Sequence, residues 1–258
     1  MPLPAKASVK YIVELGALLE ANGSIDEFTY HYIMKNLLKS SDPNDVCAVG
    51  FAFALNNEDA LAYEHFVKHI RFGNLTIANN FTAFLHYKYH FNQILDVAFD
   101  LSENIGDKTL TILAVLEAYR IGRIDMIERH MTKHYSLLQE DEGRAEAKLY
   151  MAELIKDIQD CYDAKICTQR QLELLGRITH DILEKNKFKP GSVGLFADFG
   201  GDYKVQVAKA SPEIIVSLNQ ELAESVCRES ELDDCEMTAR FTVERELYKE
   251  HTYDYNKY

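Results

Sequence analysis

The chain has 258 residues, 47% of them hydrophobic, with only five prolines and a formal net charge of −13. That apolar content excludes wholesale disorder, and the scarcity of proline leaves room for long helices. The acidity disfavours general attraction to a phosphate backbone and leaves two readings, a well-solvated surface, or attraction to a basic partner or mimicry of DNA.

The five cysteines, at 47, 161, 167, 227 and 235, form no CxxC pair. An odd, scattered set fits a reducing compartment, so a cytoplasmic protein is expected. The opening stretch Met1–Gly16 shows no apolar core ending in a cleavage site, and no apolar run approaches a membrane span.

Residues 5–21 read as an amphipathic helix through Val9, Ile12, Val13, Leu15, Leu18 and Leu19. Ser24-Ile25-Asp26-Glu27 reads as a capping box opening a second helix through Phe28, Tyr32, Ile33 and Leu37. Ser40 to Pro43 stops that helix and starts the next. From 44 to about 137 the pattern predicts five or six helices, broken at Asn56-Asn57, Gly73-Asn74, His90–Asn92, Gly106-Asp107 and Gly122. Gly122 suits the left-handed position past a helix end, and Asp107 suits an N-cap. Residues 139–160 and 166–186 read as two longer helices.

The pattern changes at Lys189-Pro190-Gly191. Ser192–Phe199 and Tyr203–Lys209 read as strands joined by a Gly200-Gly201-Asp202 turn. Ser211-Pro212 opens a helix, and Met237–Glu244 alternates as a strand. The expected fold is therefore mainly α. A domain of stacked helical hairpins over 1–187 is followed by a small α+β unit of ββαβ type over 190–246, then a polar, Tyr-rich tail over 247–258.

Three stretches echo one another: AFALNNEDALAYEHFVKHI, FLHYKYHFNQILDVAFDL and LEAYRIGRIDMIERHMTKH. Each is apolar helix, polar turn, apolar helix. Superposing Ala60, Ile94 and Ile127 brings the three into register at nearly equal spacing, in the range typical of stacked helix pairs. Tyr119 and Gly122 in the third echo resemble the turn of a tetratricopeptide (TPR) repeat, and Ala60 in the first fits its small-residue position. Ile94 and Ile127 depart from that pattern, and no repeat closes on Pro. The resemblance covers roughly residues 44–137 and implies an α-solenoid with a concave, partner-binding face.

His65/His69, His86/His90 and His130/His134 are HxxxH pairs, a spacing that puts two imidazoles on one helix face. His65, His69, His130 and His134 are thus the candidate metal ligands. No HExxH is formed and no third ligand is apparent, so packing is the favoured explanation. Gly23–Phe28 looks like half an EF-hand loop, but Leu18 and Thr29 occupy the terminal ligand positions. Asp198-Phe199-Gly200 lacks every companion motif of a kinase. No cofactor, catalytic residue or nucleic-acid partner is expected.

The favoured function is a non-enzymatic adaptor or chaperone-like module that binds a protein partner, with a basic partner in view. Phe84, Tyr87 and Tyr119 are the candidate groove residues. Glu229, Glu231, Asp233 and Asp234 form a second, acidic contact, within a stretch from Glu213 to Glu236 that carries eight acids and one base. The alternatives are an acidic decoy for a nucleic-acid-binding protein and an enzyme with a His/acid site between the two domains.

Overall fold

The computed structural model describes residues 7–71 and 73–244. The Tyr-rich tail lies outside the described residues, which contain eleven α-helices and one three-stranded sheet. They divide into two compact units, one ending at His90 and the other starting at Phe91.

The first unit holds α1 (Ala7–Glu20), α2 (Glu27–Leu37), α3 (Pro43–Leu55), α4 (Asp59–Ile70) and α5 (Leu75–Tyr87). Asp42 caps α3 by accepting from the Asn44 N–H, and Pro43 takes the first turn, where its missing N–H costs nothing. Nine of the thirteen residues of α3 are buried, so it is apolar on all sides and serves as the central helix. It packs against α1, α2, α4 and α5. Beside it Phe66 stacks on Phe81 and Phe84, with ring centroids 5.5 and 5.7 Å apart, and meets Phe51 edge-on at 6.1 Å.

Gly50 is what lets Phe66 sit there. A Cβ at position 50 would lie 2.4 Å from Phe66 Cε2. Gly50→Ala gains about 1 kcal/mol of helix propensity but overpacks the cluster by about 1–3 kcal/mol. Net destabilisation is expected in urea unfolding, and an unchanged or raised midpoint would mean that the ring swings aside.

The capping box expected at Ser24 is not formed. Asp26 is the N-cap of α2, its carboxylate accepting from the Thr29 N–H at 2.9 Å. The reciprocal box occurs elsewhere, between Thr168 and Gln171.

The second unit holds α6 (Phe91–Ile105), α7 (Lys108–Arg120), α8 (Ile124–Leu137), α9 (Arg144–Asp163), α10 (Gln169–Asn186), β1 (Pro190–Phe196), β2 (Asp202–Val207), α11 (Pro212–Val226) and β3 (Thr238–Val243). Asp107 caps α7 through the Thr109 and Leu110 N–H groups, as its sequence context predicts. α9 begins later than its periodicity suggests, because Gly143 turns left-handed (φ 72°) just before it. α7 is the hub here, touching α6, α8, α9 and α10.

The ββαβ reading is correct. β2 is the central strand, antiparallel to β1 and parallel to β3, with α11 making the crossover. The β1–β2 link is longer than the expected Gly200-Gly201-Asp202 turn. A single 3-10 turn at Asp198–Gly200 shortens β1 to end at Phe196. The sheet docks on the C-terminal end of α7, where helix carbonyls lack internal partners. Tyr203 Oη donates to the Arg120 carbonyl at 3.1 Å. The Leu195 N–H donates to Tyr119 Oη at 3.1 Å, and Tyr119 donates onward to Asp157 at 2.9 Å.

The three echoes share one turn. After α3, α5 and α7 the residues Asn57, Tyr89 and Gly122 are left-handed, with φ of 61°, 61° and 68°. In each case the next N–H reaches back five positions: Glu58 to Phe53 at 2.9 Å, His90 to Leu85 at 2.8 Å and Arg123 to Ala118 at 2.8 Å. This is the Schellman closure. The same closure ends α1, α9 and α10 at Asn22, Lys165 and Lys187, so it is a general helix stop in this chain and not a mark of the echoes.

Candidate functional site

The histidine pairs are held by packing. His65 Nε2 lies 3.1 Å from the Val46 carbonyl, and His69 Nδ1 lies 2.8 Å from the His65 carbonyl. His86 and His90 do not share a helix face, because α5 ends at Tyr87 and His90 follows the left-handed Tyr89. His130 Nδ1 meets Ser102 Oγ at 2.8 Å, and His134 Nδ1 meets Thr111 Oγ1 at 2.9 Å. Among the described residues no group of three His, Cys, Asp or Glu side chains is placed to hold a metal ion.

The candidate groove aromatics separate. Phe84 is wholly buried, and Tyr119 is nearly so, with burial and the Asp157 charge driving its hydroxyl pKa upward. Neither presents a surface to a partner, because the apolar stripe of each helix is covered by its own neighbours. Tyr87 is half-buried. The acidic segment is largely spoken for as well. Glu231 forms a two-bond pair with Arg170 at 3.1 Å, Asp234 accepts from Gln171 at 2.7 Å, and Glu229 caps the Glu231 N–H. Asp233 is exposed.

Two features have no counterpart in the sequence reading. The first is a buried charged centre at the α7 terminus. Glu117, Arg120 and His180 are 7%, 6% and 1% exposed. Glu117 Oε2 lies 3.6 Å from Arg120 Nε and 3.9 Å from His180 Nε2, and neither contact is close enough for a hydrogen bond. Burial raises the Glu117 carboxyl pKa, and the Arg120 charge opposes that rise. Burial, then the Arg120 and Arg177 charges, pushes His180 far below its ordinary value. Two charged letters, Glu117 and Arg120, in the otherwise apolar turn LEAYR were the available signal.

The second feature is a cleft of about 490 Å³ in the first unit, lined by Tyr11, Glu14, Leu15, Leu18, Ile25 and Asp26 among others. α1 and α2 both lean on α3, and the cleft opens between α1 and the start of α2. Tyr11, which lines it, meets Tyr32 of α2 in a tilted ring contact with centroids 6.2 Å apart. Large apolar side chains elsewhere on α1 and α2 lie in the open, outside the lining of the cleft: Val13 is 68% exposed, Phe28 81% and Tyr32 45%. Val9, Leu18 and Leu38 are exposed too, so half of the twelve exposed large apolar side chains among the described residues fall between positions 9 and 38. The signal in the sequence was an apolar stripe on α1 broader than one packing face requires. Only Leu15 and Leu19 of it are fully buried.

Fold and cleft together define a mainly α-helical protein of packed helices with a small mixed sheet near its C-terminal end. No family model, no curated protein and no solved structure matches this chain. Among the described residues no helix is long and apolar enough to cross a membrane.

Proposed function

We propose that the protein is a protein-interaction module, an adaptor or chaperone-like binder, whose contact face is formed by α1 and α2, the cleft at their junction included. The observation that carries this reading is the concentration of exposed large apolar side chains between positions 9 and 38, led by Phe28. Exposed large apolar side chains concentrated on two neighbouring helices mark a surface that a partner can cover. α2 itself buries only Ile33 fully and is otherwise tied down by Tyr30, which donates to Glu58 at 2.6 Å. A lightly held helix of this kind can adjust to what docks beside it.

The near-equal spacing of the three apolar echoes, together with the packed helices, supports a TPR-like helical repeat as the scaffold. The five free cysteines fit a reducing, cytoplasmic setting. The acidic segment around Glu229 and Asp233 is a secondary contact at most, since its neighbours are engaged internally.

Site-specific photocrosslinking tests the reading. A benzophenone side chain in place of Phe28 should trap a discrete protein in lysate, and one in place of Glu153, exposed on α9, should not. Equal trapping at both positions, or at neither, defeats the proposal.

A further inference from the structure

We infer that the occupant of the α1–α2 cleft is a short amphipathic helix whose apolar face is flanked by Lys or Arg. This rests on the interaction-module reading and adds the chemistry of the partner.

The shape of the cleft suits a helix. It is walled by the Tyr11–Leu18 face of α1 on one side and by Ile25, Asp26 and Thr29 at the start of α2 on the other. A groove bounded by two helices accepts a third by ridge-into-groove packing, with apolar anchors at i, i+3 or i+4, and i+7. Leu15, Leu18 and Ile25 supply apolar walls for such anchors.

Its charge suits a basic one. Both charged side chains in the lining are carboxylates, Glu14 and Asp26, and no cation among the described residues lines the cleft. The Thr29 hydrogen bonds hold Asp26 below its ordinary pKa, so it stays anionic. Lys10 approaches Glu14 at 3.5 Å, but its side chain is 76% exposed and can be displaced by a competing cation. Apolar anchors flanked by ammonium or guanidinium groups complement this lining, and the overall charge of −13 steers such a helix inward.

A second copy of the chain fits poorly. A two-fold contact presents each patch to itself, which would set Glu14 and Asp26 against the same carboxylates. Two chains of charge −13 also repel one another.

The chain has no Trp, so a Trp-bearing peptide can be read by its own fluorescence. The probe is a synthetic helix of about four turns with Leu and Trp at i, i+3/i+4 and i+7 and Lys on either flank. Its control has Glu in place of each Lys. The full-length protein should bind the Lys peptide at least about tenfold tighter than the Glu peptide, and added salt should narrow the gap. Leu18→Asp should remove binding and Glu14→Lys should weaken it about tenfold or more; because Leu18 is only 38% exposed, the surface substitution Glu14→Lys, with its melting point checked against the parent, carries the test if Leu18→Asp lowers stability. Equal affinity for the two peptides overturns the inference. So does no binding of the Lys peptide, or binding that neither substitution touches, which would mark a diffuse effect of the acidic surface. If photocrosslinking through position 28 still traps a protein in any of those cases, the interaction-module reading survives and only the basic-helix chemistry fails. If both experiments fail, both proposals fall.

Discussion

Glu117→Leu should destabilise the protein by about 3–5 kcal/mol, whereas Glu117→Leu with Arg120→Met should cost far less or even stabilise it. The reason is the poor geometry of the buried centre. Arg120 is 6% exposed, with Nε and Nη1 buried and unpaired, and its nearest charge partner, Glu117 Oε2, stands 3.6 Å away. Removing the carboxylate strands a guanidinium that cannot shed its proton. Removing both groups eliminates two desolvation costs at once. Arg120→Met alone should cost less than Glu117→Leu, because a carboxyl left alone can neutralise itself by taking up a proton. Its pKa, already raised by burial, would rise further, since the Arg120 charge is what opposes the rise. A raised carboxyl pKa stabilises fully below the unfolded value and is lost as pH rises, so this variant should weaken towards alkaline pH. Urea unfolding of the three variants checks the set. A cost under about 1 kcal/mol for Glu117→Leu would show that the centre relaxes without its carboxylate.

Acid should unfold the protein through its buried histidines. Burial lowers the pKa of His65 to about 4, and also lowers His130, His134 and His180. Each binds a proton in the unfolded chain at a pH where the folded chain excludes it. The associated stability is therefore intact above about pH 6.5 and is lost as pH falls towards the folded values. For His65 the window runs from 6.5 down to about 4 and is worth about 3 kcal/mol. Glu117, Asp157 and Asp181, with carboxyl pKa values raised by burial, act in the opposite direction. The clean measurement is therefore a difference. His65→Asn can keep a donor towards the Val46 carbonyl while removing the titration, and should reduce the slope of stability against pH by up to one proton between those limits. An unchanged slope would place the acid sensitivity elsewhere.

Helix ends with a chemical marker were legible in the sequence. Asp42-Pro43, Asp107, Gly122 and Ser211-Pro212 act on backbone groups close by in the chain, so local letters suffice. Tyr89 was not legible as a left-handed turn residue, because a tyrosine carries no such signal. Its turn matches those at Asn57 and Gly122, and the closing bond from the His90 N–H to the Leu85 carbonyl offsets part of the cost of its conformation. Asp26 and not Ser24 caps α2, its carboxylate accepting from the Thr29 N–H.

The sequence alone determined the helical class, the regular recurrence of helix, turn and helix, and the switch to ββαβ after Lys189. Those follow from periodicity and from turn residues acting on their own backbone. The tertiary structure alone decided which apolar residues are core and which are surface. Periodicity marks a stripe, but the number of neighbouring helices decides whether it is covered. Phe84 and Tyr119 were thus taken into the interior while Phe28 and Val13 stayed in water. It also decided which charges are available, since Glu231 and Asp234 meet Arg170 and Gln171, which lie far away along the chain. Pairings at that separation depend on how helices and sheet pack, and no local pattern records them.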